Sequence, residues 1–409
     1  MEQAYKIAGI DVHKKMLAVV VAWESNGELA FEHQKFGTTA EHLRRMREWF
    51  QAKGVQQVVM ESTAQYWKPV WRELEGGFQL DLAQAQSNRA PRGRKSDFAD
   101  AERLVRRYIA GELILSLVPN QEQQLWRTLT HTKVQLVRDR VRAGNQLEGL
   151  LEDARIKLSS FVSDLLGVSA RRMLLALAKG ATDPAQIAAL ADPHLRATPE
   201  QLTDALSACA TMSLLHREIL KQFLERLEML ERHMAELETS IASALKPHQE
   251  AVARVAEVPG MGANSAHQVI AEVGPQAATF PSPAQLASWV GVCPGRQESA
   301  EVSTSNRSPK GNRAMRRILN QAANAAVKVK GSVFHTFYQR LVGRKGHNQA
   351  IWAVAHKLCR ILWKILHQAV SYEERGQILS PQARKKRASR LTTALRRLGY
   401  NVTLTPLLP

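Results

Sequence analysis

The chain is poor in cysteine, in long apolar runs and, over its last quarter, in acid. Its three cysteines, Cys209, Cys293 and Cys359, stand far apart in 409 residues, with no CxxC pair and no Cys/His ligand spacing. That argues against a disulfide framework and a zinc site, and makes them small core residues of a protein kept in a reducing compartment. No leader peptide opens the chain and no stretch of 18 apolar residues occurs, so a soluble cytoplasmic protein with no membrane partner is expected.

The shortage of acid is local. From Val302 to Pro409 there are 21 lysines and arginines against two acids, Glu373 and Glu374, giving +19. The whole chain carries +18, so the other three quarters sums to about −1. A basic block of this size joined to a nearly neutral body predicts a polyanionic partner, nucleic acid. The length predicts two or three domains.

The acids of the neutral body are placed unusually. Asp11 closes the run Tyr5-Lys6-Ile7-Ala8-Gly9-Ile10-Asp11, Glu61 closes Val58-Val59-Met60-Glu61, and Asp97 and Asp100 open a helical pattern one turn apart. A sheet tolerates a carboxylate only at its rim, so two strands that both end on one can bring them together. Converging carboxylates need cations, and hard oxygen donors select Mg²⁺ or Mn²⁺. The chemistry such a pair of ions serves is phosphoryl transfer, as in nucleases and recombinases.

Around these acids, residues 5–12, 16–23 and 29–36 read as strands, the last two joined by a turn at Asn26-Gly27. A helix over 39–53, a strand over 55–61, a helix over 65–75 and a strand over 78–83 follow. This order is that of the ribonuclease-H-like fold, in which the first and fourth strands are neighbours. The polar stretch 84–96 carries Arg89, Arg92, Arg94 and Lys95 and reads as a loop able to contact phosphates. His13 reads as a turn residue, and Tyr66 and Trp67 as core.

Beyond Gln121 the period becomes heptad. Leu147, Leu151, Ala154, Leu158, Phe161 and Leu165 make one seam; Leu220, Leu227, Met234 and Ile241 with Phe223, Leu230, Leu237 and Ala244 make another. They predict an antiparallel coiled coil over 120–246, formed within one chain or across a dimer. Residues 167–212 between the seams read as short helices divided by Asp183-Pro184, Asp192-Pro193 and Thr198-Pro199. Val258-Pro259-Gly260-Met261-Gly262 has the form of a helix-hairpin-helix turn, whose Gly260 and Gly262 would let backbone N–H groups approach a phosphate. Residues 302–313 read as a polar loop, with helices at about 313–330 and 348–370. Trp352, His356, Lys357, Arg360, Trp363 and Lys364 give the second of these a packed face and a wet one, and residues 371–409 form a basic tail.

These segments resemble the DEDD-type insertion-sequence transposases with a RuvC-like catalytic domain, whose members use a structured noncoding RNA to choose DNA. The matching segments are Gly9-Ile10-Asp11-Val12-His13-Lys14, Glu61-Ser62-Thr63-Ala64-Gln65-Tyr66-Trp67 and Lys95-Ser96-Asp97-Phe98-Ala99-Asp100. Toward the C-terminus they are Val258-Pro259-Gly260-Met261-Gly262, Ser288-Trp289-Val290-Gly291-Val292-Cys293-Pro294 and Ser308-Pro309-Lys310-Gly311-Asn312. The family usually has glycine where Ala64 and Ala300 stand. The resemblance implies a RuvC-like domain over 1–115, the coiled coil, and a helical transposase domain over 250–370. It implies that Asp11, Glu61, Asp97 and Asp100 hold the metal ions and that Ser299 is a nucleophile. Nucleic-acid contacts are expected from Arg92, Arg94, Lys95, Gly260, Gly262, Arg307, Lys310, Arg313, Arg316 and Arg317. The implied partners are donor and target DNA, a guide RNA, and further copies of the chain in a dimer or tetramer with composite sites. The implied location is the bacterial cytoplasm, on the nucleoid when active.

Two other functions compete. A Holliday-junction resolvase or other metal nuclease would hydrolyse DNA with no protein–DNA adduct. A binding scaffold that has lost catalysis would not keep all four acids.

Overall fold

A computed structural model describes residues 5–25, 27–61, 64–85, 87–88, 96–294, 297–299, 302–305, 308, 310–374 and 381–404. The chain divides into two compact units, Met1–Asn120 and Gln121–Pro409.

In the first unit, strands β1 (Ile7–Val12), β2 (Met16–Ser25) and β3 (Glu28–Gly37) form an antiparallel meander. Helix α1 (Ala40–Lys53) leads into β4 (Gln57–Glu61), and α2 (Trp67–Leu74) into β5 (Gln79–Ala83). Helix α3 (Asp97–Ile109) and a two-residue strand β6 (Leu115–Ser116), which the sequence did not predict, complete the six-stranded sheet in the order β3-β2-β1-β4-β5-β6. Strands β1 and β4 are parallel neighbours, with Ile10 opposite Met60.

Side chains alternate across the strands, so the sheet has two apolar faces. Ala8, Ile10, Val12, Val58 and Met60 pack with Leu43, Met46 and Phe50 of α1 and Val70, Trp71 and Leu74 of α2. Ile7, Val20, Val59 and Ala83 pack with Ala101, Leu104 and Val105 of α3. Asp11 and Glu61 share the parity of this second set, which puts both acids on the side where α3 lies. Just beyond Glu61, Ala64 takes φ 46°, in the left-handed region that favours glycine, so the glycine usual in the resembling family has a backbone reason. Trp67 is partly buried in the core and meets Trp71 edge-on at 5.9 Å, whereas Tyr66 is 39% exposed, so the core reading holds for the tryptophan only.

Among the described residues, the second unit is helical apart from one hairpin. Helices α4 (Gln121–Asp153) and α8 (Leu214–Ala244) run antiparallel, joined by Lys133–Glu238 at 2.7 Å and Arg140–Glu231 at 2.9 Å, and they share a core of Leu147, Leu151, Leu220, Leu224, Leu227 and Leu230. The first predicted seam extends to Leu165, but α4 stops at Asp153, and Leu158 lies in a short 3-10 turn, Leu158–Ser160, whose side chain turns back into the same core. Between the two long helices lie α5 (Val168–Ala178), α6 (Pro184–Ala188) and α7 (Pro199–Ala205). Asp183 caps α6 by accepting from the backbone of Ala185 and Gln186, and Thr198 with Gln201 makes a capping box on α7.

At Leu227, 1% exposed, the seam is covered by α4 of the same chain. Leu227→Asp is therefore expected to destabilise this helical pair by about 3 kcal/mol or more, because it combines a lost apolar side chain with a buried unpaired carboxylate. Urea unfolding followed by helical circular dichroism would measure this. An unchanged midpoint would mean that α4 and α8 do not pack together in solution.

Helices α9 (Gln249–Ala256), α10 (Ala263–Val273) and α11 (Pro283–Val290) follow, then β7 (Gln297–Ser299) paired with β8 (Val302–Ser305). The polar loop expected over 302–313 thus begins as a strand; alternating Val302-Ser303-Thr304-Ser305 suits a strand once a partner is beside it. Helix α12 spans Arg313–Ala326, shorter than expected. Helix α13 spans Val333–His367, with a break at Gly346, so it starts earlier than the sequence indicated. In the basic tail, α14 spans Pro381–Arg397. Among the described residues no helix is long and apolar enough to cross a membrane.

Candidate metal centre

Helix α3 reaches the end of β1 because of one glycine. A side chain on Gly9 would stand 2.5 Å from Val105 Cγ2 and 2.7 Å from the Ala101 carbonyl oxygen. With only hydrogen there, the helix lies directly on the strand, and its first turn, carrying Asp97 and Asp100, comes beside Asp11. Gly9→Val should push α3 off the strand, at about 1–3 kcal/mol of stability. The same shift should weaken divalent-ion binding, since it moves two of the four acids. Unfolding in urea and a metal titration check both effects. A variant as stable as the parent would mean that α3 does not sit so close.

At this end of the sheet, Asp11 is 13% exposed, and His13 Nε2 lies 2.9 Å from Asp11 Oδ2 and 3.5 Å from Asp97 Oδ1. One donor atom from each of the three residues can be chosen so that all lie within 4.8 Å of one another. Burial pushes the Asp11 carboxyl above its usual range; His13 opposes this, and the charges of Glu61 and Asp100 add to it. Glu61 and Asp100 are therefore close enough for Asp11 to feel both.

The other two acids have partners of their own. Asn88 Nδ2 donates to Glu61 Oε2 at 3.0 Å, and Arg103 pairs with Asp100 while its Nε donates to the Asn88 carbonyl oxygen at 3.3 Å. Asn88 is 4% exposed and its Oδ1 has no hydrogen-bond partner among the described residues. Nothing in the sequence marks Asn88, which lies in a polar stretch where only proximity to Glu61 distinguishes it. Four carboxylates with a buried amide oxygen nearby are a hard donor set that fits a divalent cation.

In the second unit the predicted residues separate. Gly260, at φ 83°, faces the backbone of α12, where a side chain would meet the Ala322 carbonyl oxygen at 2.2 Å. Its role is close helix packing, while Gly262 faces open space at the start of α10. Lys310 and Arg313 are exposed. Arg316 donates to the Gly291 carbonyl oxygen and stacks its guanidinium 4.5 Å from the Trp352 ring centroid, and Arg317 donates to Gln268 at 2.7 Å. Ser299 pairs through its backbone with Val302. Its side chain, with Arg92, Arg94, Lys95 and Arg307, lies outside the described residues.

Sequence reasoning also missed Glu272, 2% exposed in α10. Asn312, the residue before α12, donates to its Oε2 at 2.8 Å, His131 Nε2 lies 2.5 Å from its Oε1, and Arg127 Nε is 3.5 Å away. Burial alone would raise the Glu272 pKa, but the His131 hydrogen bond and the Arg127 charge outweigh it and hold the carboxyl below its usual range. A lowered folded-state pKa contributes stability above the ordinary glutamate range and loses it as pH falls through the lowered value. Glu272→Ala should cost about 3–5 kcal/mol, since it leaves a buried guanidinium without its carboxylate. Glu272→Gln should flatten the acid side of the stability profile; an unchanged profile would remove Glu272 from this role.

Two family models match the chain. A DEDD transposase model of the IS110 type spans residues 8–156, and a model described as the transposase IS116/IS110/IS902 family spans residues 252–339. A probable family 20 transposase of Pseudomonas aeruginosa is 27% identical over 335 residues, 80% of this chain and 89% of that protein. An insertion element IS110 uncharacterized 43.6 kDa protein of Streptomyces coelicolor is 29% identical over 141 residues, 34% of each chain. The solved structure of T. thermophilus RuvC in complex with Holliday junction substrate aligns over 99% of its chain and 27% of this one, at 14% identity. The TM-score of that alignment is 0.21. With the DEDD model lying over all four clustered acids and the second transposase model over the helices that follow the coiled coil, the chain belongs to the IS110 family of transposases.

Proposed function

We propose that this protein cuts and rejoins DNA for an insertion sequence by metal-assisted attack of Ser299, with a structured noncoding RNA choosing donor and target DNA. The observation that carries the reading is the gathering of Asp11, Glu61, Asp97 and Asp100 at one end of one sheet. These acids would hold Mg²⁺ or Mn²⁺, and the chemistry a bound ion supplies is polarisation of the scissile phosphate and stabilisation of the leaving oxygen. Ser299 Oγ forms a bond to phosphorus as one phosphorus–oxygen bond of the DNA backbone breaks. The hydroxyl proton passes to solvent and the leaving sugar oxygen takes one up. The phosphoserine ester conserves the energy of the broken bond, so attack by a DNA hydroxyl rejoins strands with no high-energy cofactor. Exposed Lys310 and Arg313, a few residues after the serine, bind DNA phosphates. Arg316 and Arg317, already hydrogen-bonded inside the helical unit, hold α12 in place for them. The guide RNA and a dimeric or tetrameric assembly rest on the family resemblance and on the basic C-terminal block.

A hydrolytic reading has one observation in its favour: the four acids lie within the first unit, and such a set serves attack by water equally well. A suicide DNA substrate, whose cut end diffuses away, separates the two. The serine mechanism gives a trapped protein–DNA complex whose modified peptide contains Ser299. Cut DNA with no adduct would establish hydrolysis. Sequencing the RNA that copurifies tests the guide: one discrete structured species is expected, and a random cellular mixture would refute it.

A further inference from the structure

We infer that His13 is itself a ligand, so that one of the divalent ions in the DEDD centre sits in a mixed nitrogen–oxygen site. The inference rests on the metal reading above and adds to it an imidazole that the four-acid pattern does not include. His13 leaves the sheet two residues after Asp11, in the turn where its backbone N–H donates to the Met16 carbonyl oxygen at 3.1 Å. That turn brings Nε2 back over the acids, 2.9 Å from Asp11 Oδ2 and 3.5 Å from Asp97 Oδ1. Neighbouring donors on an octahedral ion bound at about 2.1 Å would stand about 3.0 Å apart; the 2.9 Å separation matches that spacing, and the 3.5 Å separation needs only a small side-chain adjustment to reach it. The three donors come from a strand end, a turn and a helix start, and the close seating of α3 on Gly9 holds the last beside the first. Glu61 and Asp100 have other neighbours, Asn88 and Arg103, which makes the centre asymmetric.

Chemistry gives the asymmetry a consequence. Carboxylates alone suit Mg²⁺, whereas an imidazole nitrogen adds more affinity for Mn²⁺ and the later divalent metals than for Mg²⁺. His13 therefore biases one position toward Mn²⁺, and replacing it should restore a Mg²⁺-like preference.

The test uses the full-length protein loaded with Mn²⁺ and no DNA. Pulsed electron paramagnetic resonance of the parent should show the ¹⁴N coupling of a directly bound imidazole, and His13→Ala should abolish it. In titrations, His13→Ala should weaken Mn²⁺ binding about tenfold and Mg²⁺ binding less than threefold or so. His13→Asn keeps a hydrogen-bond donor toward Asp11 but no imidazole, and should behave as the alanine variant does. Bound Mn²⁺ without nitrogen coupling would overturn the inference, as would coupling that survives in His13→Ala. Equal loss of both metals, or rescue by asparagine, would reduce His13 to positioning Asp11 and overturn it too. If the parent binds no Mn²⁺ at all, the carboxylate metal centre falls, and the His13 ligand with it.

Discussion

Asp11→Asn should abolish metal-dependent DNA cleavage, by about a thousandfold or more, while leaving the fold intact. The carboxylate it removes is mostly buried, shares its surroundings with Glu61 and Asp100, and has an oxygen within 4.8 Å of one on Asp97. Losing a ligand at such a centre removes several kcal/mol of stabilisation of the leaving oxygen, and each 1.36 kcal/mol is about tenfold in rate. The same substitution relieves a crowded, partly desolvated charge, so metal-free Asp11→Asn should unfold at the parent temperature or above it. A variant that loses both activity and stability would have failed by misfolding. A variant that cuts DNA in Mg²⁺ near the parent rate would show that Asp11 holds no ion.

Ser299→Ala should lose cleavage and rejoining together, with no detectable adduct, while divalent-ion and DNA binding stay within about twofold of the parent. It removes one hydroxyl and no charge, and electrostatic attraction to phosphate dominates affinity for DNA. No other atom at this position can take the phosphate, so the effect on turnover should be complete, unlike that of a lost hydrogen bond. Ser299 ends a short strand whose backbone pairs with Val302, and alanine preserves that pairing. If an adduct persisted in Ser299→Ala and mapped to Ser303 or Ser305, the nucleophile would lie on the second strand of the hairpin. Nicked DNA released by Ser299→Ala at the parent rate would make water the nucleophile.

Much of the first unit is legible in its residues alone. The apolar runs of β1 and β4 exist because both strands are buried on both faces, and a carboxylate can survive only where such a strand emerges. Asp11 and Glu61 therefore stand out against their neighbours in the chain. Asp183-Pro184 and Thr198-Pro199 are legible for a similar reason, since capping and the fixed φ of proline act within four residues. The second seam is legible where its leucines are buried, but the first extends past the end of α4, because Leu158 reaches the same core from a 3-10 turn. A seam records burial and not the element that delivers it.

By itself the sequence determined the order of strands and helices along the first unit as far as β5, the acids at element ends, the basic C-terminal block and the segments that carry the family resemblance. All of these follow from local geometry, from charge or from motif. Only the tertiary structure decided that Gly9 seats α3 on β1, that His13 stands between Asp11 and Asp97, and that Asn88 holds Glu61. Only it decided that Gly260 serves helix packing and that Glu272 gathers Arg127, His131 and Asn312. Each of these depends on which distant element arrives beside a residue. Close approach and buried charge pairing are set by long-range packing, and residue spacing along the chain does not encode it.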